Sequence, residues 1–485
     1  MKKRILSLVL GLAMLLSLLA VTTGCSNDTG SDNGEVTLTW YVPGDKQADM
    51  ASVMEEVNKI TMEKIGAKLD LQFLDTGAYA EKMRMFMASG QEFDLAFTGY
   101  INGYYDAASQ GGLMDITDII KNDVPGLLEV IPETLIKSAT IDGKIYGIPN
   151  EQVISNPRAI ATYKDLEEKY NFKVSDIKHI EDLEPIFEKI KQNEPNMYAI
   201  QPKLEYWTRP VWENVEDSSN VVIRKDGSSY KVELLQNTPE YRRAIQKIRE
   251  YYQKGWIRPD AASIGSDTTE VNNGRYAFFS ATYKPGGEDS LTKSQAGKRA
   301  VAVQMLTNPY IERHSPLQTM ISVGANCKHP VEAVKFIELI NTDKELYNLI
   351  CYGIEGKHYT LTEEGKAKVI KDAGYAPNAD WKFGNQFNAY IADGVDAEVW
   401  AETKKMNDEA MVSPISGFFP DKTNIQSELS QIANINSEFK VLVSGAVDPD
   451  EYLEKYLKKL EEAGQQKVLE EFQRQVDEFV AKKNK

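Results

Sequence analysis

The chain contains few of the residues that build metal centres and disulfide scaffolds. Its 485 residues include three cysteines and four histidines. It has no CxxC motif, and no cysteine and histidine are spaced as zinc ligands. Apart from Cys25 the cysteines are Cys327 and Cys351, which leaves one bridge or two buried thiols as alternatives. The sequence therefore excludes a disulfide-dense domain and gives no sign of a zinc site.

The motifs that mark several enzyme classes are also missing. There is no GxSxG nucleophile elbow, no HExxH motif and no glycine-rich phosphate loop. We therefore expect no enzyme, no metal and no cofactor. A glycosidase stays open as the enzyme alternative, because it needs only two carboxylates and the chain has 72 acidic residues.

Basic runs are absent, and so are membrane-length apolar segments beyond the N-terminus. Residues 1–24 hold three of the 56 basic residues and no acidic one, so the remainder has 53 basic against 72 acidic residues, a net charge of −19. An acidic surface of this kind repels nucleic acid and anionic lipid head groups. We therefore expect no nucleic-acid partner and a soluble remainder.

The N-terminus is typical of a lipoprotein leader. Three basic residues precede an apolar run of 16 residues, Ile5–Ala20, which is short for a spanning helix of ~20 residues. The sequence TTGC at 22–25 is similar to a lipobox, so we expect a signal peptide at 1–24 and acylation of Cys25. Residues 25–35 then form a flexible tether of small polar side chains. The alternative is an ordinary signal peptide or membrane anchor in which Cys25 is not acylated.

The first part of the chain after the tether alternates strands and helices. The segments are a strand at Val36–Val42, a helix at Met50–Ile65, a strand at Leu69–Leu74, a helix at Tyr79–Ser89 and a strand at Phe93–Phe97. This βαβαβ order predicts a parallel sheet, whose ligands bind beyond the carboxyl ends of the strands. Trp40, Tyr41, Thr98 and Tyr100 are therefore candidates for the mouth of a site. At the other end, Pro449–Lys482 predicts two amphipathic surface helices broken at Ala463-Gly464.

Several stretches together resemble the family 1 extracellular solute-binding proteins of ABC sugar importers. They are ASGQEFDLAFTGY (88–100), GGLMDITDIIKNDVP (111–125), DGKIYGIPN (142–150), NNGRYAFFSATY (272–283) and SVGANCKHPVEAVKFIELINTDKELYNLICYGIEGKHY (322–359). YGIEGKHY, WKFGNQF (381–387) and the helical tail resemble a subgroup of larger sugar-binding lipoproteins from Gram-positive bacteria. The order and spacing of these stretches make the resemblance specific.

The resemblance implies an α/β, two-lobed periplasmic-binding-protein-like (type II) fold with a hinge and a helical C-terminal tail. Lobe 1 is expected at 36–150 plus 275–325, because NNGRYAFFSATY resembles the strand that returns to the first lobe. Lobe 2 is expected at 151–274 plus 326–448, with the helices of 449–485 packed on it. The ligand would lie in the cleft between the lobes.

The resemblance also implies the function. We expect a lipid-anchored receptor on the extracytoplasmic face of the membrane that captures a carbohydrate, an oligosaccharide above all, and delivers it to the permease of an ABC importer. The same fold binding a peptide or polyol is the nearer alternative, and an adhesion lipoprotein is a further one. If the ligand were a uronic-acid oligomer, Arg209, Lys284 and Lys382 would have to supply the local positive charge.

A sugar offers apolar C–H faces to aromatic rings and hydroxyls to amides and charged groups. The expected ligand-binding residues are Trp40, Tyr41, Thr98, Tyr100, Asn102, Glu151, Trp207, Trp212, Tyr283, Lys284, Trp381 and Asn385. Two alternatives stay open. Trp40 shares the alternation of Leu38 and Val42 and equally fits the core, and Trp207 and Trp212 equally fit the packing of the second lobe.

Glu355 and His358 in YGIEGKHY form the most enzyme-like pair, because their three-residue spacing on a helix would bring both to one metal. Gly353 and Gly356 argue against a helix there, and the sequence shows no third ligand. A hydrogen-bonded turn is the favoured interpretation.

Overall fold

The computed structural model describes residues 35–101, 103–264, 267–294 and 299–483. The predicted signal peptide, Cys25 and the tether up to residue 34 lie outside the described residues, as does Asn102. The strands are β1 Val36–Pro43, β2 Ala67–Leu74, β3 Leu95–Gly99, β4 Thr140–Ile141, β5 Lys144–Ile145, β6 Gly147–Pro149, β7 Arg158–Tyr163, β8 Tyr198–Ile200, β9 Trp212–Asn214, β10 Val221–Arg224, β11 Glu233–Leu234, β12 Tyr276–Thr282, β13 Val301–Met305, β14 Tyr310–Ile311, β15 Thr319–Val323, β16 Tyr359–Leu361, β17 Ala367–Val369 and β18 Met411–Val412.

The α-helices alternate with these strands through most of the chain. They are α1 Met50–Ile65, α2 Thr76–Ser89, α3 Tyr104–Ser109, α4 Thr117–Asn122, α5 Leu127–Val130, α6 Glu133–Ala139, α7 Lys164–Tyr170, α8 Glu184–Asn193, α9 Glu205–Thr208, α10 Pro239–Gln253, α11 Asp267–Asn272, α12 Gly287–Ser294, α13 Pro330–Thr342, α14 Lys344–Tyr352, α15 Val399–Asp408, α16 Gln426–Glu438, α17 Pro449–Glu462 and α18 Gln465–Lys483. Mixed α/β order of this kind favours sheets covered by helices.

The first sheet has the strand order β2–β1–β3–β15–β6. β1 runs parallel to β2 and to β3, whereas β15 runs antiparallel to β3 and to β6. Leu38, Trp40 and Val42 are fully buried, because side chains two residues apart on a strand share a face. α1 and α2 connect the three parallel strands, so the predicted βαβαβ start is confirmed. This sheet and the helices packed on it form the first lobe.

The second sheet, with the order β13–β7–β12–β8, forms the base of the second lobe. β12 pairs antiparallel with β7 and parallel with β8. The expectation that residues 275–325 belong to the first lobe is therefore wrong for β12 and β13, and the strand that returns to the first sheet is β15. The apolar run GRYAFFS predicts a buried strand, but it carries no information about which strands will be its neighbours.

The helices α13 and α14 lie in the first lobe, so the expectation that residues from 326 onward belong to the second lobe is wrong for them. From the sequence they fall within 326–448 and are expected in the second lobe, yet they bury their apolar faces in the first-lobe core. The ring of Phe336 on α13 lies 5.5 Å from the ring of Trp40 on β1. Asp343 caps α14 by accepting a hydrogen bond from Leu346 N at 2.9 Å. Caps and periodicity predict such helices locally, but they do not predict the sheet that the helices cover.

Within the described residues, three chain segments cross between the lobes, at 150–157, 306–318 and around β18. β14, in the second crossing, pairs in parallel with β18, so that Tyr310 lies opposite Met411. Asn156 N in the first crossing donates to Tyr310 O at 3.1 Å, and Ser413 N in the third donates to Ile311 O at 2.9 Å. The crossings are therefore hydrogen-bonded to one another and form a hinge.

The C-terminal helices pack against the outer part of the second lobe. α16, α17 and α18 share a core with β10 and α10, including Val221 and Ile245. Leu453, Tyr456 and Phe472, from the two predicted apolar stripes, are buried in it. No helix within the described parts of the chain is long and apolar enough to cross a membrane.

The structure answers two questions that the sequence left open: whether Cys327 and Cys351 form a disulfide, and what holds His358. Cys327 and Cys351 are free and buried, so the alternative of two thiols is correct. Cys327 Sγ donates to Asp94 Oδ1 at 3.0 Å. His358 Nδ1 accepts a hydrogen bond from Ile354 N at 2.9 Å, and its Nε2 lies 2.8 Å from Asp49 Oδ2. His358 is thus held in a hydrogen-bonded turn, the interpretation that the sequence favours.

Candidate functional site

The crossings join the two sheets at the ends of their strands. The first crossing leaves β6 after Pro149 and enters β7 at Arg158. The second leaves β13 after Met305 and enters β15 at Thr319. Gly99 at the end of β3 pairs with Thr319, and Pro149 at the end of β6 pairs with Met320, so both crossings meet the first sheet at the carboxyl ends of β3 and β6. Ligands of two-lobed α/β proteins bind where strand ends meet the cleft between the lobes.

An aromatic pair lies beyond the carboxyl end of β3, the central strand of the first sheet. The side chain of Tyr100 is 53% exposed, and its ring centroid lies 6.1 Å from that of Trp381. Both rings contact the buried ring of Phe97 edge-on, at 6.1 and 6.3 Å. Asn150 Nδ2 donates to the carbonyl of Trp381 at 3.2 Å and ties that segment to the start of the first crossing. The pair offers an apolar face on which the C–H side of a sugar ring can stack.

Gly99 sets the position of Tyr100. Its φ is +136°, and a Cβ at this position would lie 2.1 Å from the carbonyl oxygen of Gln318. Tyr100 N donates to that same oxygen at 3.0 Å. A side chain at residue 99 would therefore separate β3 from the second crossing and displace Tyr100.

Charged side chains gather at the second-lobe edge. Arg158 Nε lies 3.9 Å from Glu205 Oε2, while Glu205 Oε1 accepts a hydrogen bond from Ser280 Oγ. The side chains of Arg158 and Glu205 are 22% and 26% exposed. Polar groups held in this way can hydrogen-bond sugar hydroxyls, and leaving one of them buried and unpaired costs about 1–3 kcal/mol.

A more deeply buried ion pair stands behind this edge, at the hinge. Arg209 Nη1 donates to Glu312 Oε1 at 3.2 Å, and Lys225 Nζ lies 3.7 Å from the same oxygen. Burial lowers the pKa of Lys225 to about 8, although the Glu312 carboxylate opposes the shift. Burial would raise the pKa of Glu312, but Arg209 and Lys225 hold it below its usual value. Glu312 therefore stays ionised and neutralised within the protein.

The comparisons with known proteins give the family. Residues 57–350 match the family described as bacterial extracellular solute-binding proteins. The chain belongs to this family. Residues 414–481 match a separate domain of unknown function, DUF3502, which begins after the third crossing and includes the C-terminal helices.

Similar proteins agree over nearly the whole length of this solute-binding protein. A carbohydrate ABC transporter substrate-binding protein of Streptococcus pneumoniae serotype 4 (strain ATCC BAA-334 / TIGR4) is 29% identical, over 97% of this chain and 98% of the relative. The N-glycan transport solute binding protein NgtS of Streptococcus pneumoniae is 28% identical and superposes with a TM-score of 0.81, over 93% of this chain and all of that one. Alginate-binding protein AlgQ2, at 17% identity, superposes at 0.58 over 91% of this chain and 98% of that one, and it shares the fold. The predicted fold of the solute-binding class is thus confirmed.

Two residues expected in the cleft lie in the first-lobe core of this solute-binding protein. Trp40 is fully buried against Phe336 and Phe383, at ring distances of 5.5 and 5.8 Å. Thr98 is also fully buried, with its Oγ1 2.7 Å from Ser322 Oγ. Both expectations are corrected, since Trp40 follows the inward alternation of β1 and β3 is buried on both faces.

Trp207 and Trp212 belong to the packing of the second lobe. Trp207 is buried near Tyr251 and donates through Nε1 to Glu181 Oε1 at 3.1 Å. Trp212 is buried and donates through Nε1 to Glu240 Oε2 at 2.9 Å. The apolar surface of each indole is buried inside the lobe, and its one hydrogen-bond donor has a partner there. Neither tryptophan is therefore available to stack on a sugar.

Of three more expected residues, Tyr41 lies within β1, and Tyr283 and Lys284 follow β12. Tyr41 is half-buried against Phe86, with ring centroids 5.3 Å apart. Tyr283 follows β12, so it borders the second lobe, and its N donates to Pro157 O at 3.0 Å. Lys284 comes next and is exposed. Tyr283 and Lys284 therefore approach the cleft from the opposite side to the one that the sequence implied.

Glu151 and Asn385 contact each other beside the first crossing. Asn385 Nδ2 donates to Glu151 Oε2 at 2.9 Å, and Lys404 Nζ lies 3.7 Å from Glu151 Oε1. Burial raises the pKa of Glu151, against the pull of Lys404. Glu151 lines a cavity of about 210 Å³ that neither Tyr100 nor Trp381 borders. The contact between Glu151 and Asn385 therefore joins the first crossing to the segment that follows Trp381.

The sequence interpretation missed Arg158 and Glu205. Arg158 begins a strand, so the rule for carboxyl ends does not nominate it; only its antiparallel pairing with Thr282 places it beside the carboxyl end of β12. Glu205 lies on the short helix α9, and only the partnership with Ser280 on β12 reveals its place. No pattern in the sequence links these two segments.

Proposed function

We propose that this solute-binding protein is the receptor of a carbohydrate ABC importer and captures a neutral oligosaccharide without cleaving it. The observation that carries the proposal is the Tyr100–Trp381 pair, with Tyr100 exposed beyond the end of β3, in a chain that aligns with NgtS over 93% of its length. Similar proteins are named for carbohydrate binding and N-glycan transport. The polar pair Arg158–Glu205, where the first crossing enters the second lobe, would take the hydroxyls.

Closure of the lobes is the proposed mechanism. A ligand that touches both edges gains its full set of contacts only in the closed form, so it shifts the hinge equilibrium by that difference in affinity. The superpositions support this. This chain gives a TM-score of 0.81 with one NgtS structure and 0.69 and 0.66 with the complexes of NgtS with Man1GlcNAc and Man5GlcNAc. The NgtS structures therefore differ among themselves in shape.

The charges at the site favour a neutral ligand. Of the three cations that a uronic-acid oligomer would need, Arg209 is paired with Glu312, and Lys382 is buried and donates to Pro43 O at 2.7 Å. Lys284 is the exposed one of the three. Two of the three cations that the sequence offered to an acidic sugar are thus committed inside the protein, which favours a neutral ligand.

We also propose that acylation of Cys25 holds the receptor on the extracytoplasmic face of the membrane, with the permease of the importer as its partner. The basic start, the apolar run Ile5–Ala20 and the TTGC sequence support this. Cys25→Ala should move the protein from the membrane fraction to the medium, as an immunoblot of fractionated cells would show. Retention of the variant in the membrane would contradict the anchor.

Calorimetric titration of residues 36–485 tests the ligand class. We expect saturable binding of the neutral glycans Man1GlcNAc or Man5GlcNAc that changes little with ionic strength, and no heat from uronic-acid oligomers. Mass spectrometry after the titration should recover the glycan intact, whereas shortened glycan would show a glycosidase. Binding of a peptide or polyol in place of every glycan would replace the carbohydrate proposal with the alternative ligand.

A further inference from the structure

A pocket distinct from the cavity at Glu151 opens beside Tyr100, between the first lobe and the C-terminal domain of unknown function. We name it the lateral pocket. It is lined by Tyr100 and Tyr105 of the first lobe, Arg313 and His314 of the second crossing, and Phe419 and Lys422 of the C-terminal domain. Its volume is about 170 Å³. Sites for whole small molecules typically measure ~300–1,000 Å³, so this pocket suits one unit of a longer ligand.

The chain after the third crossing builds one wall of the lateral pocket because it contacts both lobes. Phe418 packs into the second-lobe core, 5.6 Å from Phe479. Its neighbour Phe419 turns to the first lobe and stacks on Tyr105, with ring centroids 4.9 Å apart and the planes 9° from parallel. Ser416 Oγ lies 3.1 Å from Ser138 Oγ of α6. These contacts fix the segment across the interlobe boundary.

Polar groups of the lateral pocket are incompletely paired. Glu216 receives Arg313 Nη2 at 3.4 Å and Lys422 Nζ at 3.7 Å, both beyond a short charged hydrogen bond. Arg313 Nε and His314 Nδ1 are buried without a hydrogen-bond partner among the described residues. Lys422, whose ammonium has three N–H donors and, in the described part of the chain, only this long contact with Glu216, can donate to the hydroxyls of an entering sugar unit.

We infer that the C-terminal domain contributes a saccharide subsite, in which the lateral pocket binds the next unit of a glycan whose first unit stacks on Tyr100 and Trp381. The inference rests on the proposed function and adds to it a role for a domain that otherwise has none. Because Tyr100 borders both the aromatic pair and the lateral pocket, the two positions are adjacent along one ligand. The receptor is therefore selective for glycan length, with Lys422 and the Tyr105–Phe419 stack as determinants.

Lys422→Ala tests the subsite. Loss of a charge-assisted hydrogen bond should weaken the binding of Man5GlcNAc about tenfold and leave the binding of Man1GlcNAc within about twofold. Lys455→Ala is the matched control, because Lys455 is an exposed, ion-paired lysine of the same domain on α17. It should change neither affinity.

Phe419→Leu provides a second variant, which keeps an apolar side chain and removes the ring stack. It should show the same length-dependent loss, with urea unfolding as the check that the fold persists. Wild-type affinity for both glycans in both variants would overturn the subsite, and so would an equal loss for both glycans, since the effect would then fall on the shared unit. If the wild-type protein itself binds neither glycan, the proposed function fails and the subsite fails with it.

Discussion

Tyr100→Ala should weaken glycan binding about thirtyfold or more and leave the free energy of unfolding almost unchanged. Tyr100 is 53% exposed, so removal of its ring takes little apolar surface out of the folded core. On closure the ring would become an aromatic anchor of the ligand, and truncating such an anchor costs about 2 kcal/mol or more. Each 1.4 kcal/mol is a tenfold change in affinity. Calorimetry and urea unfolding measure the two quantities separately.

Tyr452→Ala is the control for this result. Tyr452 is a half-buried tyrosine on α17, with its ring 6.4 Å from that of Phe439. Its removal takes away a similar side chain that has no part in the cleft, so the affinity should not change. Equal affinities for Tyr100→Ala and the wild-type protein would remove the aromatic pair from the site.

Trp40→Ala should have the opposite signature: a loss of about 3–5 kcal/mol in the free energy of unfolding, with the affinity of the folded protein within about twofold. Trp40 is fully buried between Phe336 and Phe383, and truncation of a buried aromatic leaves a cavity that the neighbours fill only in part. Its Nε1 has no hydrogen-bond partner among the described residues, so the loss is one of packing. Urea unfolding measures it.

Trp40→Phe separates packing from any contact with the ligand. The smaller ring keeps much of the apolar volume, so the loss of stability should be clearly less than for alanine. A Trp40→Ala protein with unchanged stability and weakened glycan binding would contradict the placement of Trp40 in the core and restore it to the site.

Local patterns predicted the local structure well. The alternation of Leu38, Trp40 and Val42 predicts both the strand and its buried face, and the helix Met50–Ile65 has the predicted bounds. Tyr100 could be nominated because it directly follows Gly99 at the end of a buried strand. Such features depend on neighbours within a few residues, and periodicity reports on those.

The sequence did not predict which strands and side chains that are distant along the chain become neighbours. The apolar strand Tyr276–Thr282 fits either sheet by composition, and only its register with β7 places it in the second lobe. Trp207 resembles a sugar-stacking residue in its polar segment, yet its indole is satisfied by Glu181, 26 residues away. The Arg158–Glu205 pair likewise joins segments whose meeting depends on the whole sheet. Sites built from several crossings are thus the part of a two-lobed protein that is hardest to read from sequence.

Small-angle X-ray scattering with and without Man5GlcNAc tests the central claim most directly, that two hinged lobes clamp a solute and leave it unchanged. At full occupancy, the radius of gyration and the maximum dimension should both fall, and the glycan should be recovered intact from the same sample. Unchanged scattering at an occupancy confirmed by calorimetry, or release of a shorter glycan, would contradict the account.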